Sequence, residues 1–156
     1  MAYEDYSETI LVTSSAEKIY TALTTGFDKW WTCTDGQAFR QVGDRVKFTF
    51  PPLDSYWVFE AKTLEPRKKI MLECVEAYHV LNRQPGAPRD EWLGTVLIWD
   101  IVPDGDVFGV NFVHNGLTPD KCCYEVCEDG WNVFFVNSLK AYLEKGAGTP
   151  FRNSMI

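Results

Sequence analysis

The sequence predicts one α+β domain spanning residues 1–156, in which a curved antiparallel sheet grips a long C-terminal helix. Three observations carry that expectation. Between Phe39 and His114 apolar side chains recur at the period of strands, broken by turn residues. Near the C-terminus Trp131, Phe134, Phe135, Ser138, Leu139 and Tyr142 recur at helical spacing. The helical patterns lie at the two ends of the strand run rather than alternating with it.

The first strand places Ile10 and Val12 on one face and Thr9, Leu11 and Thr13 on the other. Ser14-x-x-Glu17 predicts a capping box opening a short helix, whose buried stripe is Ala16, Ile19, Tyr20 and Leu23. Gly26 ends it, and Phe27 to Trp31 forms a second short helical turn. Gly43-Asp44 then turns the chain into a strand over Arg45–Phe50, with Val46, Phe48 and Phe50 on one face. Pro51-Pro52 stops that strand. Tyr56–Leu64 and Ile70–Val75 pair across the turn Glu65-Pro66-Arg67-Lys68. Asn82–Asp90, with Pro85, Gly86 and Pro88, is a loop. Trp92–Ile101 and Val107–His114 form a hairpin across Pro103-Asp104-Gly105-Asp106. The final helix runs from Asp129 to Glu144, about 24 Å at the α-helical rise. Its solvent face carries Asn132, Asn137, Lys140 and Glu144, and Gly146, Gly148 and Pro150 end it.

Composition narrows the function. A net charge of −7 with no basic stripe excludes a nucleic-acid partner and docking on an anionic membrane surface. Met1 to Ile10 carries Glu4, Asp5 and Glu8 without a basic n-region, so no signal peptide is expected. The longest apolar stretches fall far short of the ~20 residues of a membrane helix. A cytoplasmic location follows as the expectation, and five cysteines without secretory context fit free thiols. Six tryptophans, ten phenylalanines and seven tyrosines supply rings for a core or for an apolar pocket.

Particular residues resemble a known family. Ile10-x-Val12 followed by Ser15-Ala16-Glu17-x-Ile19-Tyr20-x-x-Leu23 is one such stretch. Trp30-Trp31, then Gly43-Asp44-x-Val46-x-Phe48, is another. Gly94-Thr95-x-Leu97-x-Trp99, Phe112-x-His114-x-Gly116-Leu117, and Gly130-Trp131, Ser138-Leu139 and Tyr142-Leu143 complete the series. In this order they resemble the SRPBCC (START-like) superfamily, within it the group of the ATPase activator of the 90-kDa heat-shock chaperone. The resemblance implies a helix-grip fold, with two short helices after strand 1 and a cavity between sheet and long helix. It implies no catalytic set, because the shared residues are packing residues and the fold hosts many functions. The family's eukaryotic co-chaperones carry a separate domain before this one. Here the first strand starts close to Met1, and no such domain is expected.

Alternation together with that resemblance turns Thr95, Leu97, Trp99 and Ile101 inward, with Val110, Phe112 and His114 beside them. Trp131, Phe135, Leu139 and Tyr142 face them from the helix. The expected ligand-binding residues are therefore Trp31, Thr95, Leu97, Trp99, Phe112, His114, Trp131, Phe135, Leu139 and Tyr142. Thr95, His114, Ser138 and Tyr142 would be the polar fixtures of a lipophilic pocket, and a solid aromatic core is the competing reading of the same positions. His114 suits a general base, although a strand-end histidine more often caps a turn, here Asn115-Gly116. His79, at a strand end beside a loop, is expected in solvent. Cys123 and Cys127 would share a helical face at i, i+4, but no second pair or histidine follows at zinc spacing. No metal and no cofactor are expected there, only buried thiols. Glu60, Glu73 and Asp100 fall opposite the core faces, on a solvated sheet surface.

The leading expectation is a non-catalytic carrier or sensor for a small hydrophobic molecule, lipid-, sterol- or polyketide-like. A cyclase- or hydrolase-like enzyme using the same pocket is the alternative, and a chaperone-interacting module the third. A protein partner is compatible with all three.

Overall fold

The computed structural model describes residues 3–151. Its sheet has seven strands: β1 (Tyr6–Val12), β2 (Cys33–Thr34), β3 (Arg45–Thr49), β4 (Tyr56–Glu65), β5 (Lys69–Tyr78), β6 (Val96–Asp104) and β7 (Val107–Asn115). Every pairing is antiparallel, in the order β1-β7-β6-β5-β4-β3-β2. Strands from β2 to β7 pair with their neighbours in sequence, and β1 crosses over to pair with β7, Ile10 opposite Val110. The sheet therefore curls around the C-terminal helix, as the sequence predicts.

Two bulges drive the curl and explain where the sequence reading stopped short. Phe59 pairs with Cys74 while Val58 pairs with Glu76, so Val75 is the extra residue of β5. The bulge shifts the parity: Ile70, Leu72 and Cys74 point inward, and Ala77 rather than Glu76 continues the inner row opposite Trp57. Alternation alone ends the strand at Val75, whereas β5 runs on to Tyr78. Lys62 is the corresponding extra residue in β4, after which Leu64 turns to the core. Such bulges bend the strand and raise its twist. Trp92, expected in strand, instead lies in the turn before β6. Gly94 adopts φ +83 there, and the Thr95 amide bonds the Trp92 carbonyl at 2.9 Å.

Helix α1 (Ala16–Ala22) and a 3₁₀ turn (Phe27–Lys29) follow β1. The cap of α1 is Ser15, not Ser14: its hydroxyl accepts from the Lys18 amide at 3.1 Å with extended backbone at φ −90, ψ 154. The predicted capping box is therefore off by one residue, and Glu17 serves as an acidic first-turn residue instead.

The C-terminal helix is continuous through α2 (Tyr124–Trp131), a π-helical segment (Asn132–Leu139) and α3 (Lys140–Lys145), with Gly146 at φ +81 ending it. It starts five residues before the expected Asp129. The Glu91 carboxylate accepts from the Cys122 and Cys123 amides at 2.9 and 3.0 Å, a cap delivered from a distant loop. The π winding sets its inner face. Trp131, Phe135, Leu139 and Leu143 are all buried at a spacing of four. On an α-helix that spacing drifts about 40° per step, and the wider π turn reverses the drift. Leu143 thereby takes the inward place, and Tyr142 is half-buried. Asn132 and Glu144, expected in solvent, tie the helix to the N-terminal edge instead. The Tyr6 hydroxyl donates to Asn132 Oδ1 at 2.8 Å, and the Thr13 amide donates to Glu144 Oε2 at 2.9 Å. Among the described residues no helix is long and apolar enough to cross a membrane.

Gly116 and Gly105 offer a matched test of the site's packing. Both have positive φ, +100 and +62, but a Cβ on Gly116 would lie 2.8 Å from Thr95 Cγ2, whereas one on Gly105 meets nothing within 4 Å. Gly105→Ala should cost about 1–2 kcal/mol from backbone conformation alone. Gly116→Ala should cost more, read as a larger fall in urea midpoint at unchanged m-value. Equal losses would show that Thr95 yields freely.

Candidate functional site

The concave face of the sheet meets the helix in a block of rings. Leu97 pairs with His114 and Trp99 with Phe112 across β6 and β7, and Thr95 leads into β6. Trp131, Phe135 and Leu139 descend from the helix, and Trp31 enters from the segment after the 3₁₀ turn. All of these side chains are buried; Tyr142 alone among the ten expected positions is half-buried. Phe112 lies 4.6 Å from Trp131, 5.1 Å from Phe135 and 4.7 Å from Trp99 between ring centroids. Trp57 stacks on Trp92 at 3.9 Å, and Trp31 contacts Trp131 at 4.8 Å. The six tryptophans form one connected cluster. Trp57 and Trp92 belong to it although the sequence reading did not place them there. The inner parity of Trp57 with Phe59 could have signalled the first, and the turn at Gly94 hides the second.

One polar chain crosses this block. Trp131 Nε1–H donates to His114 Nδ1 at 3.1 Å, and His114 Nε2 lies 2.9 Å from Thr95 Oγ1. An indole nitrogen only donates, so Nδ1 is the acceptor and the imidazole proton sits on Nε2, facing Thr95. The Thr95 hydroxyl in turn donates to the Trp92 carbonyl at 2.6 Å. His114 therefore bridges sheet and helix. It does not cap the Asn115-Gly116 turn; Asp5 does, accepting from the Gly116 amide at 2.9 Å and Asn115 Nδ2 at 3.0 Å. Complete burial pushes the His114 pKa down to about 3 and holds the ring neutral. Ser138 makes a second clasp, donating to the Trp30 carbonyl at 2.7 Å and accepting from the Thr149 amide at 2.8 Å. Trp30 Nε1 finds the Ala22 carbonyl at 2.8 Å, but the buried Nε1 atoms of Trp57 and Trp99 have no partner among the described residues.

A second cluster lies where β5 ends and α2 begins. His79 does not stand free in solvent: it is half-buried, 5.1 Å from the Trp57 ring, with its amide bonded to the Arg89 carbonyl at 2.7 Å. Its imidazole and the thiols of Cys123 and Cys127 lie within 4.8 Å of one another. Cys123 is lowered in pKa chiefly by the hydrogen bond from the Cys127 thiol, with His79 adding to it, and burial pushes Cys127 upward. Trp92 Nε1–H donates to Cys127 Sγ at 3.2 Å. All five cysteines are free, and burial raises the isolated Cys74 to about 12.

The acidic residues stay outside. Arg45 pairs with Glu60 at 2.9 Å, and Lys69 with Asp100 at 3.4 Å, as cross-strand partners on the convex face. Lys62 adds contacts to Glu60 and Glu73. Two clefts of about 190 Å³ open on the outer surface, one beside Gln37, Arg40 and Asp44, the other beside Leu53, Ser55 and Val80. Neither is lined by any of the ten expected residues.

The buried histidine fixes a pH response. His114 accepts a proton at about 6.5 when unfolded but only at about 3 when folded. Between those values the unfolded state binds more protons, so stability falls as pH drops and is complete above about 6.5. From pH 7.5 to pH 5 the loss should reach about 2 kcal/mol, at ~1.4 kcal/mol per pKa unit. His114→Gln, which can still accept from Trp131 and donate to Thr95, should flatten that segment of the curve in urea titrations. An unchanged slope in the variant would remove His114 as its source.

Comparison with known proteins agrees with this architecture. The chain matches the family described as activator of Hsp90 ATPase homolog 1-like protein over residues 13–144. Among solved structures it is similar to the solution structure of the Aha1 dimer from Colwellia psychrerythraea, with TM-score 0.70 and 27% identity, covering 95% of this chain and 100% of that one. A Mesorhizobium loti protein superposes with TM-score 0.62 at 21% identity, over 84% of this chain and 92% of its own. An Arthrobacter aurescens protein does so with TM-score 0.70 at 13% identity, over 90% and 86%. The last two bear on the fold alone. No curated protein matches the chain. A match across strands β2 to β7, the polar bridge and most of the long helix makes this chain a member of the activator of Hsp90 ATPase homolog 1-like family, within the SRPBCC superfamily.

Proposed function

We propose that the chain acts as one non-catalytic domain binding a small, largely apolar molecule between its sheet and C-terminal helix, as a carrier or sensor. The observation that carries this reading is the pair of buried indole N–H groups, on Trp57 and Trp99, without acceptors among the described residues. A buried donor left unsatisfied costs about 1–3 kcal/mol. A ligand oxygen on an otherwise apolar skeleton recovers that loss while its carbon surface replaces ring contacts. Because rings already fill the space, uptake requires them to part, and apparent affinity falls in proportion to the open fraction. The π-helical segment, with its wider turn, is the element suited to yield.

The enzymatic alternative, a cyclase- or hydrolase-like reaction with His114 as base, has less support. The Nδ1 lone pair is engaged by Trp131, and no carboxylate takes part in the bonds around the ring. A protein-docking role is the second reading, favoured by the rings already in contact throughout the interior. The family's description and the dimeric Colwellia relative point the same way.

A thermal scan with fatty acids, sterols and aromatic polyketides separates these readings. A ligand of the native state at about 100 times its Kd adds ~2.7 kcal/mol, visible as a raised Tm and altered tryptophan fluorescence. Leu139→Phe, at a fully buried helix position, should cost about 1–3 kcal/mol by crowding the closed interior and should abolish the rise in Tm that the ligand gives the parent chain. No ligand raising the Tm of the parent chain would leave the docking role standing.

A further inference from the structure

We infer that His79, Cys123 and Cys127 form a zinc site with one position left open. The fold assembles it from two distant segments: the residue following β5 and the first turn of α2, which supply one imidazole and two thiols within 4.8 Å of one another. Bonds of about 2.3 Å to sulfur and 2.0–2.1 Å to nitrogen put tetrahedral ligand atoms about 3.5–3.8 Å apart, so small side-chain rotations close the set. Thiolate and imidazole are soft to borderline donors, which select zinc or copper(I) rather than magnesium or calcium. Charge decides between the two. Two thiolates and a neutral imidazole leave a zinc(II) centre with no net charge. With copper(I) they carry a net negative charge, costly where both thiols are buried. Each thiol proton still present leaves to solvent as zinc binds.

The surroundings are those of a built site. The Glu91 carboxylate holds the Cys122 and Cys123 amides and so fixes the start of α2. The Trp92 indole donates to Cys127 Sγ, the kind of outer hydrogen bond that orients a thiolate ligand. Trp57 lies against the His79 ring, and His79 is partly exposed, giving the ion a route in. Three protein ligands leave a fourth position for water or a further donor.

The experiment is zinc titration of the reduced, chelator-stripped full chain under anaerobic conditions, against a competing chromogenic chelator. The expected result is one zinc per chain, with cobalt(II) in its place showing a thiolate charge-transfer band. Cys123→Ser, Cys127→Ser and His79→Gln should each abolish stoichiometric retention while circular dichroism stays native. Cys33→Ser and Cys122→Ser should retain it. Trp92→Phe should keep the stoichiometry, shift the cobalt band and weaken zinc by about 10–100-fold. No retained zinc, zinc indifferent to these three ligands, or copper(I) bound where zinc is not would each overturn the inference. A Cys123–Cys127 disulfide forming in air in place of metal protection would do the same.

Discussion

An indole N–H taken into an apolar interior is costly without an acceptor, and where three of them find theirs governs how the elements of this chain dock. Hydrophobic burial is non-directional; a chain this rich in rings could collapse in many ways. Three indole bonds remove the freedom. Trp30 reaches the end of α1 through the Ala22 carbonyl, Trp92 reaches α2 through Cys127, and Trp131 reaches β7 through His114. They close 8, 35 and 17 residues of chain respectively. The helix lies as it does across the sheet because Trp131 must find Nδ1 of His114, with Tyr6 on the neighbouring strand and Thr13 just past that strand's end fastening it further.

Trp92 stands where the two clusters meet. Its ring stacks on Trp57, its N–H engages Cys127, and its carbonyl accepts from Thr95, whose oxygen faces His114. The thiol corner and the polar bridge are thus the two ends of one short physical path.

Much of this architecture is legible in the residue order. Alternation at Val46-Phe48, Leu97-Trp99 and Phe112-His114 places the inner face of the sheet, and the Gly105 turn sets the hairpin register. The inward set at Trp131, Phe135 and Leu139 also follows from periodicity. What escapes is whatever one part of the chain does for another. The bulge at Val75 moves Ala77 to the inner face, which no alternation rule anticipates. Glu91 starts a helix some thirty residues downstream, so local propensity cannot find that boundary. His79 looks like a surface residue until folding sets it beside two thiols that its own neighbours say nothing about.

The π-helical segment gives the C-terminal helix two reading frames. Residues before Asn132 and after Leu139 are each wound as ordinary α-helix, but the wider turn between them displaces one frame against the other. Rewinding the same residues as a uniform α-helix would set Leu143, twelve residues beyond Trp131, about 120° off the buried line and carry Glu144 away from Thr13, although neither had been altered. Removing a single residue from the middle would let the helix rewind as α-helix with Leu143 within about 20° of that line. Within this helix the π turn is therefore a one-residue surplus that the winding absorbs. The spacing of its residues, as much as their identity, is part of what makes the fold.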